Sequence, residues 1–367
     1  MRTAQIIGTG GYQPGDPIDN ATIEKLVGPL PDDVLNGLTI EQRFWMIDPR
    51  TGEHLDSNSG MAYKAAVAAL AAAEVEPAEV DLMILATGTP DYTLPPSVNL
   101  VQEKLGLESC ATLEIRSGGA GAAQALDIAR LWIEQGNATT ALVIGVEAIS
   151  PAIAPVFLET EPDRIRMRDR IPLYMFGDGA GAIVVRAGEH GGLRRGATRA
   201  IGGLRKPGIW AIGGGTHAPL LQQQRSKKLV DLRVDVVGAG DFTPVMVSEA
   251  LSHTLEAGQL AAADADWCLI PEGNAGWMLD SMRDAGVKTA DWEALEGRIF
   301  DNLAMTGACG CAAVPLFLDN AWRNGMIQPG QRVAIIGVEA TKWMYGGIVC
   351  DWTAPTPTPA TQSNESV

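Results

Sequence analysis

The sequence predicts an α/β protein made of two similar halves, and two observations carry that prediction. The first is alternation. Helical segments with one apolar face take turns with continuous apolar runs bounded by charge and glycine, the mark of strands buried on both faces of a parallel sheet. The second is repetition. Ile144-Gly-Val-Glu-Ala148 recurs letter for letter as Ile336-Gly-Val-Glu-Ala340, an offset of 192 (336 against 144). Asp81, at the start of one apolar run, has its counterpart in Asp266, an offset of 185 (266 against 81). Two matches in the same order at similar offsets argue for duplication rather than chance.

Taken in order, Ile6 to Gly11 reads as a first strand, followed by a polar, proline-bearing region with little periodicity as far as Gly60. Met61 to Ala73 is an alanine-rich helix that leads into the apolar run Glu79 to Gly88, a buried strand. A helix over Val98 to Lys104 precedes the stretch on which the chain is organised. There Thr112 to Ile115 forms a strand, Gly118 to Gly121 a turn of small residues, and a helix follows with Ala122, Leu126, Ala129 and Ile133 on one face until Gly136 stops it. Such a turn presents backbone N–H groups to a ligand. Thr140 to Ala148 and Phe176 to Val185 read as further strands. The second half repeats the plan with a helix from Pro244 to Ala257 and a strand within Ala265 to Asn274. Thr306 to Pro315 fills the slot that Arg116 to Ala123 fills in the first half. The expected halves are residues 1–188 and 189–354, with a disordered tail over 355–367.

At 367 residues the chain exceeds one typical core. A formal net charge of −16 argues against nucleic acid and anionic membrane surfaces as partners. Two basic runs stand out against that balance: Arg164, Arg166, Arg168 and Arg170, and then Arg225, Lys227 and Lys228. Both also read as solvated faces. No apolar run approaches a membrane span and no signal peptide opens the chain, so a cytoplasmic location is expected. Five cysteines without framework spacing fit a reducing compartment. Cys309-Gly-Cys311 is too tight for a usual zinc pair, and no metal site is expected.

Phe176-Gly-Asp-Gly-Ala-Gly-Ala182 resembles the FGDGAGA strand entry of the thiolase superfamily, in particular β-ketoacyl-acyl-carrier-protein synthase III and its acyltransferase relatives in polyketide pathways. The Thr39-to-Arg43 region with its following Asp-Pro, the loop Thr89-Pro-Asp-Tyr-Thr-Leu-Pro-Pro96 and the central helix support the resemblance, which runs from Ile6 to about Trp352. It implies the thiolase fold, two duplicated halves in five α-β-α-β-α layers. It also implies a homodimer or heterodimer built across the strand at Thr112 to Arg116. The expected substrates are acyl-coenzyme A or acyl-carrier-protein thioesters, reached through a long pantetheine pocket, with no tightly bound cofactor.

Such enzymes take the acyl group on a Cys at the start of the central helix, assisted by a His after a strand ending in proline and an Asn near the equivalent second-half helix. Residue by residue, these positions fall on Gly119, Glu272 and Ala308, so all three groups are absent. Ala340-Thr341-Lys342 stands where three glycines are usual, and the adenine-clamping tryptophan and arginine are not recognisable around Val34 to Arg43. Gly119 cannot form an acyl-enzyme. Ser117, Cys309 and Cys311 are near enough in sequence to be weighed as nucleophiles, but read better as structural. What remains is a set of charges, Arg116, Glu272 and Lys342, with Glu339 close by. One reading is a salt-bridge cluster filling a dead site. The other takes Glu272 as a general base tuned by burial and by Lys342 or Arg116, with an oxyanion held by backbone N–H groups at Gly118 and Gly119. The expectations are therefore an acyl-transferring enzyme without a Cys acyl-enzyme, a silent subunit pairing with an active paralogue, or an acyl-thioester binding protein. His217 in the loop Gly213 to Pro219 and His253 in a helix read as an exposed and a partly buried side chain. Trp132, Trp210, Trp267 and Trp277 read as core or interface.

Overall fold

The structure, a computed structural model, describes residues 2–357 apart from 159, 212, 214–215, 217–218 and 220–231. His217, the run Arg225, Lys227 and Lys228, and the chain from residue 358 lie outside the described residues.

Two sheets of the same strand order lie face to face with helices between and outside them. In the first, β1 (Thr3–Tyr12) pairs antiparallel with β5 (Gly179–Gly188), and β5 antiparallel with β4 (Thr140–Glu147). Parallel pairs follow, β4 with β2 (Leu82–Ala86) and β2 with β3 (Ala111–Ile115) at the edge. The second sheet repeats this. β6 (Gly192–Leu193) and β7 (Ala197–Ala200) pair with β11 (Met344–Asp351), which pairs antiparallel with β10 (Arg332–Glu339). Then come β8 (Trp267–Leu269) and the edge strand β9 (Ile299–Phe300), both parallel. The strands β4 and β10, which end in the repeated pentapeptide, begin and end 192 residues apart at both termini.

The layers follow from which faces are apolar. Helices α1 (Asn58–Ala72) and α2 (Ser97–Lys104) cover the outer face of the first sheet through Met61, Ala65, Ala69 and Val101. Ser57 starts α1 by accepting the Gly60 N–H, the N-cap that the serine supplies. Between the sheets lie α3 (Gly121–Glu134) and α6 (Ala313–Arg323), and the expected face of Ala122, Leu126, Ala129 and Ile133 is fully buried there. On the far side, α4 (Val236–Ala257) and α5 (Met278–Asp284) cover the second sheet. The arrangement is helix, sheet, helix, sheet, helix.

Three local readings change. The helix expected from Pro244 starts at Val236, where Asp235 caps it by accepting the Gly238 N–H, and Pro244 is accommodated inside it. The region before Gly60 contains helices at Asn20–Val27 and Asp32–Leu38 and a short strand pair, held by the buried Arg43 guanidinium, which donates to the carbonyls of Ile18 and Tyr174 and to Asn20. Pro355, placed in the expected tail, accepts a hydrogen bond from the Trp322 indole. Among the described residues, no helix is long and apolar enough to cross a membrane.

Candidate functional site

The repeated pentapeptide places the site. At its glycine, each strand lets the other half's helix start approach. A side chain at Gly145 would lie 2.0 Å from the Cys311 carbonyl oxygen, and one at Gly337 would lie 2.1 Å from that of Gly119. At its glutamate, each strand caps the helix start it has admitted. Glu147 Oε2 accepts the Cys311 N–H at 3.2 Å, and Glu339 Oε2 accepts the Gly119 N–H at 2.7 Å. The two receiving turns have the same shape, since Gly118 has φ +48° and Gly310 φ +49°, each opening a single turn of tight helix before α3 or α6. Both helix starts therefore meet at a pseudo-twofold axis with an acidic side chain at each.

Glu272 joins them as a third carboxylate. It follows β8 and Pro271 and reaches between the halves. Oε1 accepts the Gly310 N–H at 2.9 Å, while Oε2 is 3.5 Å from the point a side chain on Gly119 would occupy. Unlike Glu147 and Glu339, which are buried, Glu272 keeps partial access to solvent. Its carboxyl is pushed up to about 8, first by loss of hydration and then by the neighbouring Glu339 and Glu147, against the pull of the Gly310 and Cys309 amides. The Glu147 and Glu339 carboxyls are also raised, by burial above all. Three acids with raised carboxyls share one site, and Glu272 is the one with partial access to solvent.

The expected cationic tuning of Glu272 is replaced by this acidic one. The Arg116 guanidinium is exposed and reaches the Gly88 carbonyl at 3.4 Å, and the exposed Lys342 ammonium donates to the Arg205 carbonyl. Among the described residues neither forms an ion pair with Glu272; both are exposed and reach backbone carbonyls instead. The Gly119 N–H, expected to face an oxyanion, donates to Glu339 instead. Cys309 and Cys311 are fully buried, with thiols held well above their usual range by burial and by the carboxylates around them, so neither supplies a thiolate. Ser117 opens the Gly118 turn, is half-buried, and makes no capping bond with its side chain. Ala308 pairs through its backbone with the glycine-rich motif, its N–H donating to the Met175 carbonyl and its carbonyl accepting the Gly177 N–H.

That motif is explained by support rather than by chemistry. Asp178 is buried and accepts the N–H groups of Met46, Ile149 and Ser150 and the Ser150 hydroxyl, tying two loops to the start of β5. Gly181 admits α6, since a side chain there would lie 2.4 Å from the Leu316 nitrogen. Glu147, which sequence reasoning left as one letter of a repeat, is the best-held acid of the site. Besides Cys311 it accepts the Gly88 N–H at 2.9 Å and the Thr89 hydroxyl at 2.6 Å. The signal for it was present in the pentapeptide, where glycine and glutamate recur together.

Comparison with known proteins agrees with this architecture. Residues 113–201 match the family model described as 3-oxoacyl-[acyl-carrier-protein] synthase III. A β-ketoacyl-[acyl-carrier-protein] synthase III of Rhizorhabdus wittichii is 30% identical over 336 residues, covering 91% of this chain and 95% of its own. The enzyme of the same name from Desulfitobacterium hafniense is 29% identical over 354 residues, covering 96% and 99%. Among solved structures, a tetronic acid condensing enzyme superposes with a TM-score of 0.78 at 26% identity, covering 95% of this chain and all (100%) of its own. With duplicated sheets, paired helix starts and relatives aligned along nearly its whole length, the chain belongs to the β-ketoacyl-[acyl-carrier-protein] synthase III family of condensing enzymes.

Proposed function

We propose that this chain transfers or condenses an acyl group from a coenzyme A or carrier-protein thioester in fatty-acid-like or polyketide assembly, without a covalent acyl-enzyme, using Glu272 for proton transfer. The observation that carries this reading is Glu272 itself. It is an accessible acid at the position where the resemblance implies a catalytic His, 3.5 Å from the Gly119 side-chain position and raised to about 8. A general base works best with a pKa near the working pH. In this reading the acceptor X–H attacks the thioester carbonyl as the Glu272 carboxylate takes its proton. The C–S bond then breaks, and the departing thiolate receives that proton, giving acyl-X and a free thiol. The outer edge of β3, which has no strand beyond it among the described residues, is the place for the implied dimer contact.

The test is thioester loss with acceptor present, comparing the wild type with Glu272→Gln. Removal of the base lowers the rate by about 100-fold or more while the melting curve keeps its cooperative shape. An unchanged rate contradicts the assignment.

One observation favours a second reading, a subunit without turnover that pairs with a Cys-bearing paralogue. The helix-start N–H at Gly119 is already taken by Glu339. Co-purification with such a paralogue and no thioester loss by the isolated chain would support it.

A further inference from the structure

We propose that Glu339 is a gate on the thioester site: its carboxylate occupies the place of the acyl carbonyl oxygen at the Gly119 N–H and must move aside for a thioester to bind. The inference rests on the reading that this site receives a thioester. The Gly119 N–H, at the start of α3, is where a helix N-terminus and an oriented amide favour developing negative charge. Glu339 holds it at 2.7 Å through Oε2, while Oε1 accepts the Thr341 N–H at 2.6 Å. The seat is built for the carboxylate. A side chain on Gly118 would stand 1.4 Å from Glu339 Oε2, so the gate closes into space that only glycine leaves free.

The twin residue shows why Glu339, and not Glu147, is the movable one. Glu147 makes the same contact with the opposite helix start but is also fixed by the Gly88 N–H and the Thr89 hydroxyl, and Thr89 is itself held by the Ala148 N–H at 2.7 Å. The side-chain partner of Glu339 is Thr341, two residues along its own chain in an exposed turn rather than on a distant segment. Swinging it out breaks the Gly119 clasp and contacts within its own turn, whereas freeing Glu147 also breaks contacts to Gly88 and Thr89 on a distant segment.

The experiment measures binding of octanoyl-pantetheine with a ¹³C-labelled thioester carbonyl to the full-length protein, by calorimetry and by the infrared frequency of that carbonyl. Three variants are compared with the wild type: Glu339→Ala, Glu339→Gln and Glu147→Gln, each checked for cooperative unfolding. Glu339→Ala frees the amide, and the expected result is binding about tenfold tighter or more, with the carbonyl band shifted to lower frequency by its new hydrogen bond. Glu339→Gln keeps an acceptor on Gly119 and stays near the wild type, which separates gating from a charge effect. Glu147→Gln leaves the carbonyl frequency unchanged. Equal affinity and equal frequency in the wild type and Glu339→Ala would overturn the gate while leaving thioester binding intact. Absence of binding by every form would overturn both the gate and the reading beneath it.

Discussion

Glu147 and Glu339 are one residue used twice: 192 positions apart, each ends a strand of its own half and caps the helix start of the other. The glycine two residues before each admits the partner turn to within contact of the strand. The two halves are thus joined at their centre by reciprocal carboxylate-to-amide clasps, and the third acid, Glu272, sits where these clasps meet. Holding three carboxyl groups together is costly unless protons or amides compensate, and the Cys311, Gly119 and Gly310 amides each donate to one of them.

The clasp predicts that Gly118→Ala is costly. The new methyl group must adopt φ +48° and would overlap the Glu339 carboxylate, whose bond to Gly119 is then lost. The expected loss is about 2–4 kcal/mol by urea unfolding. Gly203→Ala is the control, because Gly203 has φ +47° with nothing within 4 Å of its side-chain position, so only the backbone cost of about 1–2 kcal/mol applies.

Stability should fall as pH rises. In the folded protein Glu272 holds its proton up to about 8, whereas the unfolded chain releases it near 4.5. Between these values the native state binds more protons, so its stability declines from about pH 4.5 to about pH 8, by at most about 1.4 kcal/mol per pH unit for this group. Glu147 and Glu339, also raised, act in the same direction. Denaturant unfolding at pH 5 and pH 8.5 measures the slope, and Glu272→Gln makes it shallower. A slope unaltered by that substitution would remove Glu272 from the account.

Restoring the family nucleophile alone should not restore its chemistry. A side chain at Gly119 would stand 2.2 Å from the Val338 carbonyl oxygen, so Gly119→Cys forces the backbone of β10 to shift. It would also lack the His and Asn that the resemblance places at residues 272 and 308. The expected variant is destabilised and gains no acyl mass on exposure to acyl-coenzyme A, as read by intact-protein mass spectrometry.

Much of this was legible in the residues. Alternating apolar runs and the pentapeptide repeat carried the layered, duplicated fold, and the four-residue face of α3 was found as expected. The placing of Gly119, Glu272 and Ala308 at the nucleophile, His and Asn positions stays what the resemblance implies, argued from the strand and helix signals around them and from Pro271 and Pro315. The electrostatics were not legible. Arg116 and Lys342 are close to the site in sequence but turn to solvent, and periodicity does not report the direction of a side chain at a strand end. Glu147 was overlooked because its partners, Cys311, Gly88 and Thr89, come from distant parts of the chain. The length of α4 escaped because Pro244 reads as a helix start, whereas Asp235 supplies the cap.

The central claim, that acyl groups pass through this site without resting on the protein, is tested most directly by intact-protein mass spectrometry during thioester consumption. Wild-type protein, an acyl-coenzyme A or acyl-carrier thioester and an acceptor are mixed, and protein mass and thioester loss are followed in the same samples. The account predicts thioester loss that depends on acceptor and on Glu272, with the protein mass unchanged throughout. A stable mass gain of one acyl group would contradict it and point to a displaced nucleophile at Ser117, Cys309 or Cys311.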